Sequence, residues 1–199
     1  MSSLVLEQFR GGGLEPVDLT IEAGECVTLT GPSGSGKTRL LRAIADLDPH
    51  SGNAQFDQQA IGTTPPPIWR RHVGLLPADS YWWHEQVADH FIGSPTDLLR
   101  ELGLDDKCLT WQVSRLSSGE RQRLALARML NRQPSVLLLD EPTANLDPEN
   151  TARVEKLVLQ YAAQHQAAVL WVSHDAAQRR RVGQRRLMIR DRHLEVEAA

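Results

Sequence analysis

The sequence is poor in cysteine and has no long apolar run, and both absences limit what the chain can be. Its two cysteines among 199 residues, Cys26 and Cys108, lie far apart and fit no metal-ligand spacing, so we expect reduced thiols. No stretch of about 18 apolar residues is present, so the sequence predicts no membrane-spanning helix. Because residues 1–10 also lack the basic and apolar parts of a secretory signal, we expect a cytoplasmic protein.

The chain also lacks a large excess of charge of one sign. Its 22 basic and 25 acidic residues give a net charge of −3, which argues against a nucleic-acid partner. Near the C-terminus, however, arginines are dense (Arg179, Arg180, Arg181, Arg185, Arg186, Arg190 and Arg192). Because residues 186–190 have the character of a strand, we interpret these arginines as a solvated face.

Short apolar runs alternate with segments of helical period along most of the chain. The strand-like runs are 4–9, 17–21, 25–30, 73–76, 136–139, 168–172 and 187–189, and the helix-like segments are 38–46, 85–104, 118–131 and 148–164. This alternation predicts an α/β fold with a mostly parallel core sheet flanked by helices, preceded by N-terminal antiparallel strands. We expect a single domain over 1–199, with a core of 1–78 and 133–199. A helical subdomain is expected between them, at about 79–132, where strand signals are few.

Residues 31–38 read Gly-Pro-Ser-Gly-Ser-Gly-Lys-Thr and fit the phosphate-loop pattern of P-loop NTPases. A predicted strand precedes the loop and a predicted helix follows it, as this motif requires. Glycines let backbone N–H groups surround phosphate oxygens, and the helix N-terminus adds partial positive charge. We expect Lys37 to reach the β- and γ-phosphates and the Thr38 hydroxyl to bind Mg²⁺. The predicted nucleotide-binding residues of this region are Gly31, Pro32, Ser33, Gly34, Ser35, Gly36, Lys37, Thr38 and Arg39.

Two carboxylates follow the apolar run 136–139, at the end of a strand where doubly wound sheets bind ligands. Asp140 is predicted to complete the Mg²⁺ site with Thr38, because oxygen ligands suit this ion. Glu141 is placed to polarise the attacking water. His174 follows another apolar run, and we predict that it contacts the γ-phosphate or that water. Glu141, His174 and Lys37 form the predicted catalytic set.

A further helix is predicted to start at residues 117–120. Ser117 and Glu120 have the spacing of a capping box, so one interpretation is simply a well-capped helix. The other interpretation is a second phosphate-binding helix N-terminus. Its residues would be Ser117, Ser118, Gly119 and Glu120.

This set of motifs resembles the ATP-binding subunit of an ATP-binding cassette (ABC) transporter of the small single-cassette bacterial type. The matching segments are the Walker A loop (31–38), the signature (116–120), the Walker B strand (136–141), the D-loop with Asp147 (145–147) and the switch histidine (His174). Phe9 lies near the place where the family has an aromatic ring that stacks on adenine. The resemblance therefore adds Phe9 to the expected ATP site, and a buried core phenylalanine is the alternative interpretation.

The resemblance implies a head-to-tail homodimer, formed on ATP binding, in which the signature of one subunit faces the γ-phosphate held by the other. ATP and Mg²⁺ are the implied cofactors. A separate transmembrane permease is the implied partner, with this subunit peripheral at the inner face of the cell membrane. Residues 168–175 resemble small bacterial cassettes of metal exporters. The alternatives are a non-transport ABC ATPase and a weakly hydrolysing, nucleotide-dependent regulator.

The sequence departs from the family pattern in three places. Ala78 stands where the family has a glutamine that reaches Mg²⁺ and the attacking water, so we expect slower hydrolysis and weaker coupling to the helical subdomain. Ser118 and Glu120 replace the usual glycine and glutamine of the signature.

An aromatic cluster follows Ala78, and it consists of Tyr81, Trp82 and Trp83. It is interpreted either as an interface with the membrane subunit or as packing inside the helical subdomain.

Overall fold

The computed structural model describes residues 3–197 and divides its strands between two sheets. The strands are β1 (Leu4–Arg10), β2 (Val17–Ile21), β3 (Cys26–Thr30), β4 (Ser51–Phe56), β5 (Gln59–Ala60), β6 (Val73–Leu76), β7 (Val136–Asp140), β8 (Ala168–Val172), β9 (Arg185–Arg190) and β10 (His193–Val196). The helices are α1 (Lys37–Ile44), α2 (Pro66–His72), α3 (Thr96–Glu101), α4 (Ser118–Leu130), α5 (Pro148–His165) and α6 (Ala176–Val182). Short 3₁₀ segments are Ala88–His90, Asp106–Thr110 and Val113–Arg115.

The larger sheet forms the centre of the molecule, with the strand order β10-β9-β3-β8-β7-β6. Strands β9, β3, β8, β7 and β6 run parallel, and β10 pairs antiparallel with β9 at one edge. Every residue of β7 and β8 is buried, as expected for strands covered by helices on both faces. The predicted mostly parallel core sheet is confirmed.

The smaller sheet is antiparallel and has the order β2-β1-β4-β5. Its strand β2 alternates buried and exposed residues, so one face packs on the core and the other meets solvent. Helix α1 lies in the same hydrophobic cluster, where Leu40, Leu41 and Ile44 are fully buried. The predicted N-terminal antiparallel strands are therefore present, but β4 and β5 were not predicted.

The segment between β6 and β7 holds α3, α4 and the three 3₁₀ segments, with one isolated bridge between Gln86 and Gln112. Residues 85–104 are predicted to be helical, with a second helix that opens at Pro95. The second helix is confirmed, because Pro95 is the N-cap of α3, but the first half of the prediction is mostly wrong. Only Ala88–His90 makes a 3₁₀ turn before Thr96–Glu101 becomes α-helical. Gly93, with a φ of 69°, and Pro95 interrupt the chain between these two segments.

Most of the C-terminal arginines are exposed, as the interpretation of a solvated face predicted, and Arg179 is the exception. Arg179 is buried, and its Nη2 lies 2.6 Å from Oε1 of Glu197. Arg181 pairs with Glu155, and Arg185 with Glu25. Acidic side chains therefore pair with these three arginines, and Arg181 and Arg185 remain about half exposed.

Within residues 3–197, every helix is too short or too polar to cross a bilayer.

Candidate nucleotide site

The carboxyl ends of β3, β7 and β8 open into one cavity of about 270 Å³. Because these strands are parallel neighbours, the segments that follow them meet at one edge of the sheet. The phosphate loop follows β3, Asp140 ends β7, and His174 lies two residues after β8. The cavity is lined by Ser33, Gly34, Gly36, Lys37, Thr38, Arg39, Ala78, Asp140, Glu141 and His174.

The phosphate loop has a backbone shape that depends on glycine. Gly36 has a φ of 103°, and a Cβ there would lie 2.8 Å from the carbonyl oxygen of Gly12. Any other residue would therefore be strained and would clash at the start of α1.

Lys37 folds back over the loop, and its Nζ donates to the carbonyl oxygens of Gly31 at 2.8 Å and Pro32 at 3.0 Å. Burial lowers the pKa of this ammonium group, while Glu141 and Asp140 act in the opposite direction.

Ser35 supplies an independent sign that the loop is built for an anion. Its Oγ is buried and has no hydrogen-bond partner among residues 3–197. A buried hydroxyl without a partner is costly, and a phosphate oxygen at this loop would satisfy it.

Thr38 and Asp140 place two oxygen atoms side by side across the cavity. The Thr38 hydroxyl donates to Oδ2 of Asp140 at 2.7 Å. Oxygen atoms of this kind suit Mg²⁺, which usually keeps several waters and takes few protein ligands. Among the described residues no group of three or more His, Cys, Asp or Glu is placed to hold a metal ion. The pair therefore fits a magnesium ion that is held mainly by phosphate and water.

Glu141 and His174 face each other at the rim of the cavity. Oε1 of Glu141 lies 3.3 Å from Nε2 of His174, an ion-pair distance without the geometry of a directed hydrogen bond. Burial raises the pKa of the Glu141 carboxyl, and His174 partly offsets this effect. Glu141 also has a φ of 50°, a strained backbone conformation of the kind that is found at functional sites.

The signature residues lie outside this cavity. Ser117 caps α4, because its Oγ accepts from the Glu120 N–H at 3.3 Å while the Glu120 carboxylate accepts from the Ser117 N–H at 2.9 Å. The predicted capping box is therefore present. An ideal Cβ on Gly119 would lie 3.2 Å from Cδ2 of Leu146 and 3.4 Å from the Asn145 carbonyl oxygen, so signature and D-loop are neighbours. Within one chain, neither segment lines the cavity around Lys37.

Asp147 begins the helix that follows the D-loop. Its Oδ1 accepts from the Asn150 N–H at 2.9 Å, which makes Asp147 the N-cap of α5. This bond and the Asn150 side chain lower the pKa of Asp147.

Phe9 does not have the placement that the family resemblance suggested. The side chain has no exposed surface, and its ring stacks on His50 with centroids 5.4 Å apart. Regular alternation from Leu4 and Leu6 would point residue 9 away from the core. The register of β1 shifts between Leu6 and Phe9, where Gln8 has a φ of 47°, and this bulge turns Phe9 inward.

The aromatic cluster after Ala78 borders a groove of about 200 Å³ next to β6 and α4. The Arg128 guanidinium lies 4.6 Å from the ring centroid of Trp82 and 4.7 Å from that of Trp83. Trp82 packs on the core, whereas Trp83 and Tyr81 are mainly exposed. Burial, and to a lesser extent Arg132, lower the pKa of Arg128 to about 10. Trp82 therefore packs inside the helical segment, as one interpretation of the cluster predicted, whereas an interface formed by Tyr81 and Trp83 stays a prediction.

A second cavity beside the phosphate loop was missed by the sequence reasoning. It is lined by the triglycine segment 11–13 and by residues 48–51, and it shares Arg39 with the first cavity. The triglycine segment by itself predicts only a turn. Its close contact with the start of α1 depends on tertiary structure and has no local sequence signal.

A glycine-rich loop between β3 and α1, with acidic residues at the end of β7, defines this protein as a P-loop nucleoside triphosphatase by fold. The family model described as ABC transporter matches residues 14–144. The chain therefore belongs to the ABC transporter family, as a small single-cassette subunit.

Individual relatives agree with this assignment. The probable iron export ATP-binding protein FetA of Escherichia coli K12 is 36% identical over 175 residues, which cover 81% of this chain and 78% of that protein. The aliphatic sulfonates import ATP-binding protein SsuB 2 of Frankia alni is 39% identical over 194 residues, covering 92% and 73%. The structure of a bacterial Atm1-family ABC exporter with ATP bound shares the fold, with a TM-score of 0.85 at 21% identity. This match covers 98% of the present chain but 38% of the exporter chain.

Proposed function

We propose that this chain is the ATP-binding and ATP-hydrolysing subunit that powers a separate membrane-embedded transporter. The proposal rests on one observation. A single cavity of this ABC-family chain is lined by Lys37, by the Thr38–Asp140 pair and by the Glu141–His174 pair. The names of the relatives support it, because FetA and SsuB are ATP-binding proteins of export and import systems respectively.

Each side chain has a part in phosphoryl transfer, which depends mainly on positioning and electrostatics. Lys37 would exchange its two carbonyl partners for β- and γ-phosphate oxygens. Thr38 and Asp140 would hold Mg²⁺, which neutralises charge on the phosphates when bound. Glu141 would accept a hydrogen bond from the attacking water, and His174 would orient that carboxylate and contact the γ-phosphate.

A second copy of the chain would complete the site. Ser117 to Glu120 and Asp147 lie outside the cavity of their own chain, although they form an exposed helix start beside the D-loop. A head-to-tail dimer would bring this helix N-terminus, with its free N–H groups, to the γ-phosphate of the partner. Closure would also exclude water from the triphosphate, and hydrolysis would release the two subunits.

The groove beside β6 and α4 is the proposed contact with the membrane subunit. Exposed aromatic rings and arginines are enriched at protein interfaces, and Trp83, Tyr81 and Arg128 form such a patch here. This contact would place the chain at the cytoplasmic face of the membrane without a span of its own.

The test of the enzymatic assignment is Glu141→Gln. The change keeps the shape of the side chain but removes the charge that polarises water, so turnover should fall by at least about 100-fold while MgATP binding persists. Phosphate release and calorimetric binding measure the two effects, and Gln160→Glu, on the distant helix α5, serves as the matched control. Unchanged turnover in Glu141→Gln would refute the role.

Ala78 favours one other candidate function, a regulator that binds ATP and hydrolyses it slowly. Its methyl group lines the cavity where a polar side chain would reach the water. Turnover measured with and without the membrane subunit separates the two functions. A subunit that powers transport should hydrolyse ATP faster when its permease is present. A regulator should hydrolyse ATP slowly under both conditions.

A further inference from the structure

Glu141 and His174 reach the nucleotide cavity from two different segments of the chain. Glu141 directly follows β7, and His174 lies two residues after β8. At the end of the sheet the segments are joined by one backbone bond, in which the Glu141 N–H donates to the Val172 carbonyl oxygen at 3.1 Å. Beyond this bond both segments leave the sheet, and the His174 side chain is 58% exposed. Packing around the imidazole therefore holds it only weakly against the Glu141 carboxylate.

A side-chain hydrogen bond joins the two segments away from the sheet. Nε2 of Gln178, on α6, donates to Oγ1 of Thr143 at 2.9 Å. Apart from the contacts of Glu141 itself, this is the only residue pair in the described part of the chain that links the loop after β7 to α6 by hydrogen bonds. Thr143 lies two residues after Glu141, and Gln178 lies four residues after His174. The bond therefore crosses between the segments close to the proposed catalytic pair.

The orientation of the Gln178 amide follows from its other neighbour, Glu155 on α5. Arg181 donates to both carboxylate oxygens of Glu155, at 2.7 and 3.0 Å, so this carboxylate is ionised and can only accept. Nε2 of Gln178 lies 2.8 Å from Oε1 of Glu155, and the amide NH₂ group must therefore face it. The second N–H of the same group is then directed to Thr143. Helix α5 thus fixes the donor that α6 presents to the loop.

The burial of this polar side chain indicates a role in geometry. Only 2% of Gln178 and 8% of Glu155 are exposed. Because folding exchanges hydrogen bonds with water for internal ones, a buried amide adds little net stability compared with an apolar residue of the same length. A buried network in which each member has its partner instead holds the joined segments in one arrangement.

We infer that Gln178 is a positioning residue of the nucleotide site, which ties α6 to Thr143 and thereby keeps His174 against Glu141. The inference rests on the proposed ATP hydrolysis and adds to it a residue outside the cavity. Gln178 does not line that cavity, so it acts through His174 and not on the nucleotide.

The first experiment measures kcat for ATP hydrolysis and the dissociation constant of MgATP in the full chain. Gln178→Met keeps the length of the side chain but removes both N–H groups, so kcat should fall by about three- to tenfold while the dissociation constant stays within about twofold. Thr143→Val removes the same bond from the other side and should have the same effect, whereas Thr143→Ser keeps the hydroxyl and should retain kcat. The double variant should lose no more than either single variant. Gln164→Met, at an exposed position of α5, is the matched control and should change neither quantity.

The second experiment observes His174 directly by NMR. Its imidazole resonances, assigned by their loss in His174→Gln, should shift in Gln178→Met and in Thr143→Val and stay unchanged in Gln164→Met. Reduced kcat with unchanged resonances would overturn the inference, because the glutamine would then not act through the histidine.

Three kinetic outcomes decide between this role and its alternatives. Unchanged kcat in both Gln178→Met and Thr143→Val would overturn the inference and leave the proposed function intact. A loss in the double variant equal to the product of the single losses would also overturn it, because the two side chains would then act independently. Absence of ATP turnover in the unchanged chain would overturn the proposed function together with the inference.

Discussion

Ala78 lines the nucleotide cavity together with Glu141 and His174, yet its methyl group can neither donate nor accept a hydrogen bond. In the proposed mechanism, the attacking water would therefore depend on Glu141 and His174 alone among these three. The raised pKa of Glu141, which follows from its burial, makes its carboxylate a stronger acceptor than an exposed one. In the proposed reaction, Glu141 is thus the single acidic residue that polarises the attacking water.

Ala78→Gln should increase ATP turnover. One added hydrogen bond to the water or to a metal ligand contributes about 0.5–1.5 kcal/mol, which equals about two- to tenfold in rate. Phosphate release as a function of Mg²⁺ concentration measures the effect. Ala78→Met, of similar length but without the amide, controls for side-chain bulk and should give no gain. If Gln and Met leave the rate and the Mg²⁺ dependence equally unchanged, Ala78 does not limit hydrolysis.

At the scale of elements, the core strands could be predicted because each is a short apolar run bounded by polar residues. Helix α2 could not, since its start at Pro66 lies within a run of prolines that also suits a stiff loop. The phosphate loop could be predicted because eight consecutive residues define it. The inward turn of Phe9 could not, because it depends on a bulge opposite β2 and β4. Local sequence thus predicted the phosphate loop, whereas tertiary contacts determined the position of Phe9 and the second cavity beside the loop.

Helix α4 combines a structural cap with a proposed contact to the partner, and two substitutions separate these roles. Glu120→Gln keeps the capping box, so the free energy of unfolding should change by less than about 0.5 kcal/mol and turnover should persist. Adding Ser117→Asp to that variant keeps a good N-cap but directs a carboxylate at the partner's phosphates. Turnover should then be lost while MgATP still binds. Full turnover in the double variant would show that Ser117 does not face a phosphate.

At the scale of the whole molecule, the buried Arg179 ties α6 to Glu197, which follows the last strand of the sheet. Arg179→Ala should lower the free energy of unfolding by about 3 kcal/mol, because the change leaves the largely buried carboxylate of Glu197 without its partner. Urea unfolding measures this loss. Arg180→Ala, the exposed neighbour, should cost less than about 0.5 kcal/mol. Equal costs for the two variants would contradict the structural role of the pair.

At the same scale, the separation of the motifs on the molecule supports the proposed pairing of two copies. One chain carries the phosphate loop, both carboxylates and His174 in one cavity, and it carries the signature and D-loop on a separate surface. A single copy would leave the γ-phosphate open to water on that side. Two copies in head-to-tail arrangement would close two equivalent sites around a twofold axis.

The most direct test is the mass in solution of the Glu141→Gln variant, measured by light scattering with and without saturating MgATP. The variant should have the mass of one chain without nucleotide and of two chains with it, because unhydrolysed ATP holds the subunits together. The mass of one chain in the presence of demonstrably bound MgATP would contradict the shared site.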